Sequence, residues 1–176
     1  MMPDVANHDG ALDDDRAAGV LIPPGAGDSF FALSDWAVCK VRAEWTGGRF
    51  SVVEQITVPG ARPPLHTHEF DEIHYIIDGE YDYWQGDKPP RRATAGSVVW
   101  TPRGVVHTYK NVGATNGRLV AVFMPGGFER FFEEFGMPSS DTSATPARLD
   151  ASGIARLAAI VEAKYWTKVV EPIAGR

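Results

Sequence analysis

Short runs of strand-forming residues, separated by turn formers, recur along most of this chain and restrict it to an antiparallel all-β architecture. The runs are Ser29 to Leu33, Ala37 to Glu44, Phe50 to Val58, Glu72 to Ile77, Tyr81 to Gln85, Ser97 to Thr101, Val105 to Tyr109 and Arg118 to Met124. Gly47-Gly48, Pro59-Gly60, Asp78-Gly79 and Gly113 divide them. Asp78-Gly79 predicts a hairpin, because both residues tolerate positive φ in the turn that joins two strands. Strands this short and regular point to a barrel or jelly roll. No internal repeat is visible, so one barrel is expected.

Helical periodicity is confined to the end of the chain. Phe128, Phe131, Phe132 and Phe135 are spaced by three and four, one apolar stripe with Gly136 as its stop. A second stripe runs through Ile154, Leu157, Ala158, Val161 and Tyr165, with Asp150 or Ser152 as N-cap. Between them lies a Pro- and Ser-containing stretch at 137–146, and Pro172 ends the ordered region. The first residues carry Asp4, Asp9, Asp13, Asp14 and Asp15 among alanines and read as a flexible acidic tail. The expected organisation is a tail over 1–19, a barrel with its closing helix over 20–136, and a linker with a helical appendage over 137–176.

Composition narrows the partners. At 176 residues and 44% apolar content the chain suits one domain, whose folding would bury roughly 70% of the unfolded surface. The single cysteine, Cys39, rules out an internal disulfide and is expected to be a small core residue rather than a nucleophile. No charged-then-apolar leader is visible, so the cytoplasm is the default compartment. The formal net charge of -6 disfavours a nucleic-acid surface, and no apolar run approaches the ~20 residues that span a bilayer.

Two segments carry metal-ligand chemistry. In GARPPLHTHEFDEIHYIIDG, His66 and His68 are two residues apart, with Glu72 four further on. In GSVVWTPRGVVHTYKN, His107 lies in an apolar stretch containing Pro102 and Gly104. Residues i and i+2 of a strand share a face, so His66 and His68 can grip one ion, and Glu72 and His107 complete the set. Imidazoles and a carboxylate without thiolates suit a divalent transition metal, Fe, Mn, Ni, Co, Cu or Zn, and the sequence does not choose among them. Four such ligands leave one or two octahedral positions for water, substrate or dioxygen.

Gly60, His66, His68, Glu72 and Gly79, with Gly96, Pro102, Gly104, His107 and Asn111, match both motifs of the cupins. The chain therefore resembles the cupin superfamily, and GGFERFFEEFG at 126–136 resembles the tail of small quercetinase-like cupins. The resemblance implies a double-stranded β-helix, a jelly-roll-like barrel with C-terminal helices here, and a homodimer. It also implies a metal-dependent dioxygenase acting on a small organic substrate. Two alternatives stay open: a non-oxidative cyclase, lyase or isomerase using the metal as Lewis acid, and a ligand-binding cupin without chemistry.

His74 stands where related cupins often carry an aromatic residue. If Glu72 points into the barrel, so do His74 and Ile76, while Ile73, Tyr75 and Ile77 face away. His74 is therefore a candidate acid or base beside Glu72. Tyr109, Trp100 and Tyr83 are the candidate walls of a flat-sided pocket for an aromatic or polycyclic substrate, Tyr109 first because it shares the side of His107. Glu69 and Asp71 are read as solvated loop carboxylates, and Arg49 and Arg62 have only their charge to suggest carboxylate binding.

Overall fold

A computed structural model describes residues 19–33, 35–138 and 151–170. The expected acidic tail up to residue 18, the linker over 139–150 with Asp150, the side chain of Ile154, and the terminus from residue 171 with Pro172 lie outside the described residues.

The described strands form two antiparallel sheets. They are β1 (Asp28–Ala32), β2 (Asp35–Val41), β3 (Ser51–Thr57), β4 (His66–His68), β5 (Asp71–Asp78) and β6 (Glu80–Gln85). Then come β7 (Arg91–Thr94), β8 (Val98–Thr101), β9 (His107–Asn111), β10 (Gly117–Met124), β11 (Met137–Pro138) and β12 (Thr167–Val169). The larger sheet runs β11-β1-β2-β3-β10-β5-β8 and the smaller β12-β4-β9-β6-β7. This all-β arrangement is the double-stranded β-helix. Alternation builds its core: β3 and β10 each bury every second residue, Ser51, Val53, Gln55 and Thr57 facing in from one, Leu119, Ala121 and Phe123 from the other.

Several expectations are corrected. Asp78-Gly79 is not a hairpin between paired strands, because β5 and β6 belong to different sheets. It is the corner where the chain crosses between them. Gly79 has φ 94, and a Cβ there would lie 2.8 Å from the Gly117 Cα, so the corner needs two glycines in close approach. The run from Ala37 stops at Val41, and Ala43–Thr46 turns into a 3-10 helix capped by Gly47. The strand expected from Val105 begins at His107, since residues 102–105 form a turn in which Val105 N–H donates to Pro102 O at 3.2 Å. Three strands, β7, β11 and β12, were not foreseen; they are short, and tertiary neighbours supply their pairing.

Helix α1 (Glu129–Phe135) lays its aromatic stripe on one end of the barrel. Phe128, just before it, meets Phe123 and Phe70 at ring-centroid distances of 5.0 and 5.2 Å. Gly136 does end the helix, but in extended conformation; what it supplies is room, because a Cβ would meet Phe132 O at 2.3 Å. Helix α2 (Ala151–Lys164) buries Leu157 and Val161, and the following Tyr165 packs its ring 5.9 Å from Phe131. At the opposite end Tyr81 and Thr57 share a 2.6 Å hydroxyl contact, and Asn111 Nδ2 donates to Thr57 O at 2.9 Å.

Candidate metal centre

β4, β9 and β5 deliver the motif residues to one place inside the barrel. His66 and His107 are directly opposed across the β4–β9 pairing, their rings 4.3 Å apart, and His68 follows two residues on along the same strand. One ring nitrogen from each of His66, His68 and His107 lies within 4.8 Å of the others, the separation of atoms around a shared ion. These three form a group able to hold a metal.

The backbone fixes which nitrogens face the centre. His66 Nδ1 lies 2.7 Å from Pro64 O, His68 Nδ1 2.7 Å from Phe70 O, and His107 Nδ1 3.0 Å from Val105 O. A carbonyl can only accept, so each Nδ1 carries a proton and each Nε2 is the atom turned to the centre, the one that a neutral ring offers to a metal. Three Nε2 atoms then face one another. His68 Nε2 is buried without a hydrogen-bond partner, a state that costs free energy unless an acceptor-seeking cation occupies the centre. Phe70 stacks on His68 at 3.9 Å with rings 5° from parallel, which fixes the plane of that imidazole.

Glu72 completes the cluster. Its Oε2 is 3.2 Å from His107 Nε2 and 3.7 Å from His68 Nε2, and its Oε1 is 3.2 Å from His74 Nε2. Burial alone would raise this carboxyl, but His74, His107 and His68 outweigh burial and hold it well below the usual carboxylate range. Desolvation, reinforced by the His107 ring, pushes His66 down to about 3, so its lone pair is free at neutral pH.

His74 faces inward with Glu72 and Ile76, while Tyr75 and Ile77 are exposed. Its Nδ1 lies 2.9 Å from the Tyr83 hydroxyl, and its buried Nε2 lacks hydrogen-bond geometry despite the nearby Glu72. Tyr83 and Tyr109 are buried, their rings 5.6 Å apart, and burial pushes both phenols well above their ordinary range. Trp100 is a correction. It pairs with Ile73 on the outer face of the sheet, is 60% exposed and does not line the interior; the barrel-facing residues of that strand are Val99 and Thr101.

Sequence reasoning missed a second polar group. Tyr109 O–H donates to Asp35 Oδ2 at 3.0 Å, with Gln55 Oε1 at 3.4 Å, and both partners are buried. Asp35 follows a loop and carried no local signal; Gln55 was detectable by its place among the inward residues of β3. Desolvation raises Asp35 to about 7 although the Tyr109 hydroxyl and His74 pull it down. The remaining candidates are peripheral. Asp71 is bound by Arg103 at 3.1 Å, Arg62 lies over the Trp84 ring at 4.9 Å, and Arg49 Nε donates to Thr46 O at 2.8 Å. Cys39 is buried and pushed up to about 12, chiefly by desolvation, which leaves a thiol and not a thiolate at neutral pH. A surface groove of about 470 Å³ beside α1 and Trp166 contains none of the motif residues. No helix among the described residues is long and apolar enough to cross a membrane.

Comparison with known proteins agrees with this geometry. A family model described as a cupin domain matches residues 53–123, which contain all four motif ligands. The chain is 28% identical over 125 residues to quercetin 2,3-dioxygenase of Bacillus subtilis, and 28% identical over 91 residues to the same enzyme of Aspergillus japonicus. Those alignments cover 70% and 49% of this chain but only 36% and 25% of the relatives, so the chain spans about a third or less of their length. Among solved structures, a predicted oxalate decarboxylase from Thermotoga maritima superposes with a TM-score of 0.55 at 20% identity, covering 60% of this chain and 98% of that one. The polyketide cyclase RemF from Streptomyces resistomycificus does so with a TM-score of 0.53 at 17% identity, covering 59% and 78%. At such identity these neighbours speak for the fold alone. Both motifs, the barrel and the cupin-domain match over residues 53–123 make this chain similar to the cupins, and among them to the quercetinase-like cupins.

Proposed function

We propose that this protein is a metal-dependent enzyme that oxidises a small aromatic or polycyclic molecule with dioxygen. The observation that carries the reading is the set of three imidazoles held by their Nδ1 protons so that their Nε2 atoms face one another beside Glu72. His66, His68, His107 and Glu72 would hold one divalent transition metal. Bound there, the metal supplies Lewis acidity and, if redox-active, electron exchange with dioxygen. The protein's own part is positional and protonic. His74 Nδ1 shares a hydrogen bond with the Tyr83 hydroxyl while Nε2 faces Glu72, so a proton can be handed to a substrate oxygen or withdrawn from one at Nε2. Tyr83 and Tyr109 offer flat aromatic surface on the same side. Likeness to the two quercetin 2,3-dioxygenases supports oxygen as co-substrate.

The test is turnover of flavonol-type and other polyphenolic substrates by metal-loaded protein, in air and under strict anaerobiosis. Activity that vanishes without oxygen is expected. Undiminished anaerobic turnover would favour a cyclase, lyase or isomerase in which His74 moves a proton and no oxygen is consumed.

We also infer that the protein is a homodimer, formed through the outer face of β5 and β8. Tyr75 (47% exposed), Ile77, Val98 and Trp100 lie together there, joined by the cross-strand pairs Tyr75–Val98 and Ile73–Trp100 on the edge of the larger sheet. These four side chains expose roughly 400 Å² of apolar surface, about half of the ~800 Å² each partner gives to a standard interface. A second copy is the proposed occupant, since a two-fold arrangement would set this same patch against itself.

A further inference from the structure

We infer that the C-terminal helix and strand, α2 and β12, are a positioning element of the metal centre, holding His66 and His68 in register. This rests on those histidines being ligands. β4 has three residues, and towards β9 it makes only one pairing, His66 with His107. Its other side is covered by β12: Thr167 pairs with His68, Lys168 with Thr67, and Val169 with His66. The pairing continues beyond the strand ends. Val170 N–H donates to Leu65 O at 2.9 Å and Glu69 N–H to Trp166 O at 3.0 Å. The backbone from 65 to 69 is therefore held along its length by residues 166 to 170.

The register has a specific consequence. In an antiparallel ladder hydrogen-bonded and non-hydrogen-bonded pairs alternate. Bonds at 65/170 and 69/166 make 67/168 the central bonded pair and leave His66 and His68 in the closer, non-bonded pairs. Val169 and Thr167 are thus directly opposite the two histidines, on the same face. Thr167 is buried and its hydroxyl donates to Tyr165 O at 2.9 Å, while Val169 packs against the core. β12 is itself anchored: Tyr165 packs on Phe128, Phe131 and Phe135 of the α1 cluster and its hydroxyl donates to Glu134 Oε2 at 2.5 Å. Mechanical continuity runs from α1 through Tyr165 and β12 to the ligand strand. Without β12, β4 would be an edge held by its one pairing with β9 and by the Gly104 N–H bond to His68 O at 2.8 Å, and metal binding would have to order the rest.

The test measures Co(II) affinity of metal-free full-length protein by chelator competition, read through the visible spectrum of bound Co(II). Val170→Pro removes the N–H that bonds Leu65, and Lys168→Pro removes the central one; Lys168→Ala, at an exposed position, keeps the backbone intact. Affinity is expected to fall at least ~10-fold in the proline variants, the low end of losses seen when groups supporting a ligand are removed, and to stay unchanged in Lys168→Ala. Hydrogen exchange on the wild type gives a variant-independent readout: because linkage is reciprocal, Co(II) should slow exchange at Lys168 and Val170 together with Thr67 and Glu69. Wild-type affinity in folded Val170→Pro, or β12 amides indifferent to Co(II), would overturn the inference. A wild type that binds no Co(II) would instead overturn the metal reading beneath it.

Discussion

Replacing Asp35 by Asn tests whether the barrel interior stores a neutral carboxylic acid. Asp35 is 8% exposed, its Oδ2 accepts from Tyr109, and its Oδ1 has no partner. Desolvation raises it from 3.8 to about 7. The folded state therefore binds a proton that the unfolded chain has already released between about pH 4 and 7. The sign follows from linkage: the group's favourable contribution is complete below the unfolded value and is lost as pH rises through the folded one. About three pH units at ~1.4 kcal/mol each give a loss of about 4 kcal/mol, saturating above pH ~7. Asn keeps the shape and an acceptor for Tyr109 but does not titrate. Urea unfolding of metal-free protein at intervals from pH 5 to 8 should show wild-type stability falling relative to Asp35→Asn by about 3 kcal/mol. Parallel stability curves for the two proteins would refute the reasoning, because they would mean that Asp35 is ionised throughout and solvated by groups the geometry does not provide.

His107→Ala removes the ring directly opposed to His66, and Co(II) affinity should drop by ~100-fold or more in equilibrium competition, beyond what loss of an outer supporting group costs. His74→Phe should leave metal content unchanged while turnover falls by ~10²-fold or more, if the imidazole transfers a proton; wild-type rates would make it a packing residue. Combining Trp100→Glu with Tyr75→Arg should convert the dimer to a monomer in sedimentation equilibrium without changing metal content, and a monomeric wild type would remove the proposed interface. Gly117→Ala should destabilise by roughly 1 to 3 kcal/mol or more in denaturant melts, since the new Cβ would lie 2.2 Å from the buried Tyr81 hydroxyl.

Much of the centre was legible because its determinants are local. Two-residue alternation places His66 with His68, and Glu72 with His74 and Ile76, whatever the rest of the chain does. Trp100 shows the limit of the same rule. Periodicity says which residues share a face, but which face is inside depends on the partner strand, and pairing with Ile73 turned Trp100 outward. Asp78-Gly79 shows another limit, since the dipeptide specifies a sharp reversal without specifying that the strands it joins will enter different sheets.

The sequence by itself determined the strand-and-turn cadence, the identity and spacing of the nitrogen and oxygen donors, and the side of each strand they share, because these depend on backbone period and side-chain chemistry over a few residues. Only the tertiary structure decided that Asp35 and Gln55 meet Tyr109 across the barrel, and that residues 167–169 pair with the strand carrying His66 and His68. Those contacts join positions far apart in the chain. Their free energy comes from burial and hydrogen bonding that exist only once the sheets have closed, so no local pattern encodes them.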